Sequence, residues 1–125
     1  MKTIAVWAIG LGLSALLSSG AHGQTKDCQF PRFRTMANQE VALPITVRSG
    51  KRCHIKLGTT RGPVFGARVL SRPGAGQAAA VGTSMIYTAR AGYTGADSFK
   101  WAWVGQDRYG NNTMWPVAVA VTVVP

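Results

Sequence analysis

The strongest constraint on the fold is a regular alternation of side chains near the end of the chain. Between Asp97 and Gly105, three aromatic residues stand two positions apart, at Phe99, Trp101 and Trp103. Successive side chains of a β-strand point to opposite faces, so this spacing predicts a strand with one aromatic face. Two explanations of that face are open. It is a wall of the hydrophobic core, which the large apolar area of aromatic rings favours, or a platform that stacks sugars or bases.

A second alternating strand follows the aromatic one. From Trp115 a valine stands at every second position to Val123, and β-branched residues at this density favour strand over helix. Residues 106–112 between the strands are rich in Asp, Gly and Asn, which favour turns. Pro116 has no backbone N–H, so we expect the start of this strand at an edge or a bulge. The predicted core aromatics of this hairpin are Phe99, Trp101, Trp103 and Trp115.

Earlier segments also have strand patterns. Apolar residues alternate over 40–47, where Pro44 favours an edge position, and again over 52–57. A loop is predicted at 58–66 and a turn at 71–76. Weaker strand patterns occupy 67–70, 77–81 and 85–90. Because turns recur every eight to twelve residues and no amphipathic helix is evident, the chain is predicted to be an all-β sandwich of about seven antiparallel strands.

Three motifs in the last part of the chain occur in this order: Tyr87-Thr88, the turn Gly92-Tyr93-Thr94-Gly95-Ala96-Asp97-Ser98-Phe99, and the alternating valines of 117–124. Together they resemble the end of a bacterial immunoglobulin-like or cadherin-like repeat, over roughly the last forty residues. Where that family often has proline after Tyr-Thr, this chain has Ala89-Arg90. The resemblance implies an immunoglobulin-like Greek-key sandwich with a structural turn at Gly92, Gly95 and Asp97.

Asp97 has two possible roles. The resemblance places it in the turn before the aromatic strand, where its carboxylate would accept hydrogen bonds from backbone amides. The alternative is calcium, which cadherin-like repeats hold at the junctions between domains. Calcium takes six to eight oxygen ligands, and the whole chain has four Asp and Glu. The capping role is therefore favoured, and no metal or cofactor is expected.

The N-terminus predicts export. Lys2 precedes an apolar segment, Ile4–Leu17, and small residues follow it up to Gly23. This is the pattern of a signal peptide over residues 1–23, with an uncleaved anchor as the alternative. Residues 24–125 then form one domain without a transmembrane span, and the predicted location is periplasmic or extracellular.

The two cysteines, Cys28 and Cys53, lie in the predicted mature chain. An even count in an exported protein predicts one disulfide, which would tie the N-terminal arm to an early strand. Free reactive thiols and a metal site with His54 are the weaker alternatives. The arm itself interleaves Arg32 and Arg34 with phenylalanines, which either pack down as a lid or contact a polyanion.

The mature chain is strongly basic. Without Lys2, thirteen Lys and Arg stand against four Asp and Glu, a net charge of +9. Such a charge favours anionic partners through salt-sensitive attraction. On the strand at 52–57, the residues Arg52, His54 and Lys56 share one face. This face is either a candidate basic binding face or an ordinary solvated strand face.

The chain has no recognisable catalytic motif. His54 is the single histidine of the mature chain, and no paired acids, HExxH or phosphate loop is present. We therefore expect a non-catalytic envelope module that contacts anionic polysaccharide, lipopolysaccharide or an acidic protein through its basic surface. The alternative is a protein-interaction subunit that pairs through an edge strand. Nucleic-acid binding would rest on charge and Arg-Phe interleaving alone, and export argues against it.

Overall fold

The computed structural model describes residues 26–56 and 62–125, and within these ranges the chain forms strands, turns and loops without a helix. The strands are β1 (Cys28–Gln29), β2 (Val41–Arg48), β3 (Arg52–Ile55), β4 (Val64–Ser71), β5 (Gly76–Val81), β6 (Ser84–Ala89), β7 (Gly95–Gln106) and β8 (Asn112–Val124). The all-β prediction is confirmed. The predicted signal peptide at 1–23, the last residue of the predicted strand 52–57 and residues 58–61 of the predicted loop lie outside the described residues.

The strands form two sheets. The larger sheet has the order β1-β2-β8-β7-β4, and the smaller has the order β3-β6-β5. The hairpin β7–β8 is the longest pairing and sets Trp103 opposite Trp115. Buried residues of both sheets form one hydrophobic core, to which β3 and β6 contribute Ile55, Met85 and Tyr87. Each sheet therefore has one face on the core and one outer face.

The prediction of antiparallel strands is wrong for one pair, and residues 26–56 and 62–125 form eight strands in place of the predicted seven or so. β2 and β8 run parallel, with Val41 opposite Val117 and Arg48 opposite Val124. A short turn forces two consecutive strands to be antiparallel. Since β2 and β8 are not consecutive, no turn fixes their relative direction, and the alternation of their side chains does not reveal it.

Pro44 of β2 and Pro116 of β8 lie where the missing backbone N–H removes no hydrogen bond between strands. β1 pairs with β2 only at Thr46 and Val47, so the edge of β2 is open at Pro44. On β8, Met114 uses both its N–H and its carbonyl to bond Asn38. Because backbone groups alternate along a strand, the nitrogen of Pro116 points to the same side as Met114, away from the ladder with β7.

The predicted loop at 58–66 is wrong at its end, because β4 begins at Val64. The pairing of β4 with β7 shifts register between Val64 and Gly66. Such a bulge inserts an extra residue and interrupts the alternation of side chains. Phe65 is consequently turned outward and is 66% exposed, which hid the strand pattern in the sequence.

The predicted disulfide is confirmed: Cys28 on β1 bonds Cys53 on β3, with a Cα–Cα distance of 5.2 Å. It joins the two sheets along one side of the molecule. The neighbouring arm packs down, since the ring of Phe33 stacks on Trp103 at 6.4 Å and Phe30 meets Phe33 edge to face. Arg32 and Arg34 of the same arm are exposed.

Candidate functional site

The outer face of the smaller sheet presents the row of basic residues that the sequence singles out. On β3, Cys53 and Ile55 are buried, while Arg52 and His54 point outward, with Lys56 one residue beyond the strand. Alternate residues of a strand are about 6.6 Å apart, so the row spans roughly 13 Å. We call these three residues the basic face.

Uncharged residues continue this surface across the sheet. Arg52 lies opposite Thr88, which lies opposite Gln77, and His54 lies opposite Ile86 and then Ala79. Side chains directly opposite on neighbouring strands have Cβ atoms about 5 Å apart. The basic face therefore borders a polar row at Thr88 and Gln77 and an aliphatic row at Ile86 and Ala79.

None of the four acidic residues compensates the basic face, and all four lie in the described ranges. Asp27 pairs with Arg48 at 4.0 Å and Glu40 pairs with Lys100 at 3.2 Å. Asp97 and Asp107 accept hydrogen bonds elsewhere, from Tyr87 and Asn111 among other donors. Neither salt bridge of the described residues involves Arg52, His54 or Lys56.

A shallow groove adjoins the basic face at one end of the smaller sheet. It has a volume of about 400 Å³ and is lined by Gly50, Gly76, Gln77, Thr88, Ala89, Arg90 and Ala91. We call it the Thr88 groove. The guanidinium of Arg90 donates one hydrogen bond to the carbonyl of Gly74 at 3.3 Å. A guanidinium has five N–H donors, so several remain for an anion, beside the hydroxyl of Thr88 and the amide of Gln77.

Asp97 lies inside β7 and joins distant parts of the chain. Its carboxylate accepts hydrogen bonds from the hydroxyl of Tyr87 at 2.7 Å and from the backbone N–H groups of Gly74 and Ala75 at 2.8 and 3.1 Å. The N–H of Ser98 donates a fourth. The capping interpretation named backbone amides, and three of the four donors are backbone N–H groups; the hydroxyl of Tyr87 was not foreseen.

The same contacts determine the protonation states of Asp97 and Tyr87. Burial by itself raises the pKa of Asp97, but the hydrogen bonds from Tyr87 and from three backbone N–H groups outweigh it, and the pKa is lowered. Burial raises the pKa of Tyr87, and the negative charge of Asp97 raises it further. The pair is therefore a carboxylate held by a neutral hydroxyl, which is a structural arrangement between β6 and β7.

The two glycines of the predicted structural turn have backbone conformations that other residues rarely adopt. Gly92 has a φ of 86° and Gly95 a φ of 127°. Both angles lie in the region that favours glycine. The N–H of Gly92 also donates to the hydroxyl of Ser49 at 2.8 Å, which links this turn to the turn between β2 and β3.

The four predicted core aromatics, Phe99, Trp101, Trp103 and Trp115, are all at most 3% exposed. Phe99 stacks on Tyr87 at 5.3 Å, and Trp101 meets Trp103 edge to face at 4.3 Å. The indole N–H of Trp103 donates to the carbonyl of Thr83, in the turn between β5 and β6. These rings are buried in the core, so they do not form a platform for sugars or bases.

Cys28, Cys53 and His54, the residues weighed above for a reactive thiol or a metal site, do not lie together as such a site. Cys53 is bonded to Cys28, and His54 points to the opposite face of β3. Within residues 26–56 and 62–125, no group of three or more His, Cys, Asp or Glu is placed to hold a metal ion. Nor does any helix in these ranges have the length and apolar character needed to cross a membrane.

Two features of the surface were missed by the sequence analysis. The Thr88 groove depends on the pairing of β5 with β6, which no local pattern reveals. A second groove, described below, lies around Phe65, in the segment that was expected to be a loop. The irregular spacing of Val64, Phe65 and Val69 was a weak signal for the bulge that creates it.

Comparisons with protein families, with curated proteins and with solved structures found no match.

Proposed function

We propose that this chain is an exported, non-catalytic module that binds anionic envelope polymers, such as lipopolysaccharide or acidic polysaccharide, on its basic face. The observation that carries the proposal is that Arg52, His54 and Lys56 stand in one exposed row while every carboxylate side chain of the protein is engaged elsewhere. Arginine binds phosphate and carboxylate groups through two parallel hydrogen bonds, and lysine adds a point charge.

The Thr88 groove gives the proposed ligand a second point of contact. Its hydroxyl, amide and guanidinium groups can bond a hydroxyl-bearing sugar and an acidic substituent together, whereas the basic face alone would bind any polyanion. A polymer lying along β3 would then set one unit in the groove and its next charged groups on Arg52 and Lys56.

The proposal includes an immunoglobulin-like Greek key and export by residues 1–23. The sheet orders β1-β2-β8-β7-β4 and β3-β6-β5 support the Greek key, because β2 to β3, β4 to β5 and β6 to β7 each pass from one sheet to the other. The disulfide supports an oxidising compartment, which for a bacterial protein is the periplasm or the cell exterior.

The test is chromatography of residues 24–125 on heparin and on immobilised lipopolysaccharide, with elution by a salt gradient. We expect retention beyond physiological salt, about 0.15 M. The variant Arg52→Ala/Lys56→Ala should elute earlier, and the slope of log affinity against log salt should fall by about two, one for each lost contact.

The matched control is Arg32→Ala/Arg34→Ala, which removes the same charge from exposed positions on the arm. Retention close to that of the unmodified protein is expected for this control. If the two double variants lose retention equally, the charge acts diffusely and the proposed basic face is wrong. If neither matrix retains the unmodified domain above low salt, the polyanion proposal itself fails.

A second candidate function is pairing of an edge strand with a partner protein, and one observation favours it. β5, at the edge of the smaller sheet, consists of Gly76–Val81 and carries no charge and no proline. Proteins commonly protect an exposed edge with charge, proline or a bulge. An unprotected edge can accept an added strand.

Substitution Ala80→Pro tests this second candidate, because proline removes a backbone N–H and blocks strand addition. Cross-linking in the native envelope should give a defined adduct with the unmodified protein and none with the proline variant. Ala80→Ser is the control and should keep the adduct. A monomer at native abundance in all three samples would exclude edge pairing.

A further inference from the structure

Part of the outer face of the larger sheet is apolar. On β7 and β8 the core takes Trp101, Trp103, Trp115 and the valines, so the alternate residues face outward. Ser98, Lys100 and Thr122 are the polar members of this outward set. The partly or fully exposed apolar members, which we call the apolar face, are Val104, Met114, Pro116, Ala118 and Ala120. An antiparallel sheet with one solvated face ordinarily carries polar residues there, and exposed apolar patches mark interaction sites.

A groove lies at one end of the apolar face. It has a volume of about 330 Å³, and its walls include Phe65, Val104 and Met114. We call it the Phe65 groove. Phe65 is among the most exposed large apolar residues of the described chain, at 66%. The register shift of β4 lies at this residue, between Val64 and Gly66.

The rim of the Phe65 groove is polar and positive. Arg68 lies on one side, with Asn38 and Asn112 near the opposite wall. Neither salt bridge of the described residues involves Arg68, and the four acidic side chains are engaged elsewhere. The Oδ1 atom of Asn38 accepts the N–H of Met114, which leaves its NH₂ group for another acceptor.

We propose that the Phe65 groove docks an acidic segment of a partner protein, with one apolar side chain between Phe65 and Met114 and a carboxylate on Arg68. Charge complementarity favours an acidic partner. The apolar walls favour a polypeptide over a glycan, because a hydroxylated or charged polymer would lose hydration against Phe65, Val104 and Met114 without forming hydrogen bonds. The amides of Asn38 and Asn112 can meet backbone groups of the segment. This site is on the opposite sheet from the basic face, so it goes beyond the proposed function.

The experiment titrates ¹⁵N-labelled protein with three synthetic peptides. The first is Gly-Glu-Asp-Phe-Asp-Glu-Gly, the second has Ser in place of Phe, and the third has Lys in place of each acid. We expect the first peptide to shift the backbone amides of Arg68, Val104 and Met114. The second and third should bind roughly tenfold more weakly, because each lacks one of the two anchors.

Two variants and two matched controls locate the site. Phe65→Ser and Arg68→Glu should each abolish the shifts at Val104 and Met114. Tyr109→Ser and Arg108→Glu make the same chemical changes in the exposed turn between β7 and β8 and should leave them. If Phe65→Ser disturbs the spectrum of the whole protein, Arg68→Glu carries the test, since it leaves every apolar wall intact.

Three results would overturn the proposal: equal affinity for the three peptides, no binding of the first peptide, or shifts confined to β3 and β6. The last result would place the acidic peptide on the basic face and leave the polyanion proposal standing. Conversely, loss of heparin retention in Arg52→Ala/Lys56→Ala with unchanged peptide shifts would separate the two surfaces.

Discussion

The two outer faces of this protein share one core but differ in chemistry. The outer face of the smaller sheet places Arg52, His54 and Lys56 along an edge strand, next to Thr88 and Gln77. The outer face of the larger sheet carries alanine, proline, valine and methionine on its central strands, together with Ser98, Lys100 and Thr122. This difference is the reason that we propose a different partner for each face, an anionic polymer for the basic face and a protein segment for the Phe65 groove.

The two faces are also held in place by different parts of the structure. The apolar face lies on the long hairpin β7–β8, which pairs over twelve positions. The basic face lies on β3, a strand of four residues with a neighbour on one side only. The disulfide at Cys53 compensates for this, because it fixes the middle of β3 to β1. The position of the basic face therefore depends on the disulfide, whereas the position of the apolar face depends on the hydrogen bonds between β7 and β8.

The largest loss of stability is expected from a substitution in the hydrophobic core that both sheets share. Trp103 is buried, stacks on Phe33 and donates to the carbonyl of Thr83. Trp103→Ala should lower the free energy of unfolding by about 3–5 kcal/mol, measured by urea titration with far-UV circular dichroism. Trp103→Phe keeps most of the volume and should cost less. A loss below about 1 kcal/mol for Trp103→Ala would mean that the two sheets do not depend on a common core.

Removal of the disulfide should have the next largest effect and should act more on the basic face. Cys28→Ser/Cys53→Ser should lower the free energy of unfolding by about 3 kcal/mol, because the bond closes a loop between residues 25 apart. Hydrogen exchange should accelerate first in β1 and β3, and later in β7 and β8. Reduced unmodified protein should behave in the same way. Equal acceleration in all strands would contradict the assignment of different supports to the two faces.

Asp97 couples the two sheets, and its substitution should give a moderate effect. Asp97→Asn should lower the free energy of unfolding by about 1–3 kcal/mol, since hydrogen bonds to a charged group are replaced by bonds to a neutral one. Because the folded protein lowers the pKa of this carboxyl, its contribution is complete above the unfolded value of about 3.9 and is lost as pH falls below it. Thermal unfolding between pH 2 and 7 measures this.

The control for that experiment is Asp107→Asn. Asp107 also has a lowered pKa, because the backbone N–H and the side-chain amide of Asn111 donate to it, but its donors Tyr109 and Asn111 belong to the same turn between β7 and β8. Asp107→Asn should therefore keep most of the acid sensitivity, whereas Asp97→Asn should lose a large part of it. If the two variants lose the same acid sensitivity, Asp97 does not couple β6 to the turn at Gly74.

The smallest effect on stability, and the sharpest comparison of the faces, comes from placing one negative charge on each. Ala79 and Ala120 are both exposed, Ala79 beside Ile86 near the basic face and Ala120 on the apolar face. Ala79→Glu and Ala120→Glu should each change stability by about 0.5 kcal/mol or less. Heparin retention should fall more in Ala79→Glu. Equal retention of the two variants would mean that the polymer does not distinguish the faces.

The sequence predicted those parts of the fold that a local pattern specifies. Alternation located β2, β3, β7 and β8, and an even cysteine count together with a predicted export signal predicted the disulfide. The parallel pairing of β2 with β8 could not be predicted, because alternation is identical in parallel and antiparallel strands. The bonds from Gly74 and Ala75 to Asp97 were also hidden, since their partners are more than twenty residues apart.

For the candidate sites, the sequence indicated some of the residues but not which other residues lie beside them in the folded protein. The basic face was predicted because its three residues lie on one strand. Both grooves are formed by residues from several strands, so their existence depends on register. Phe65 was assigned to a loop, because the bulge between Val64 and Gly66 breaks the alternation that would have extended the predicted strand at 67–70 back to the start of β4.

The parallel pairing of β2 with β8 has a consequence for the order of folding. Asn38 and Met114, which bond beside that ladder, are 76 positions apart, whereas β7 and β8 are joined by a short turn. Closing a long loop costs more chain entropy than closing a short one, and distant pairings slow folding. We therefore expect the β7–β8 hairpin to form first. Until β2 pairs with β8, the backbone groups on that side of β8 remain without a strand partner. During that interval β8 is the part of the chain most exposed to aggregation.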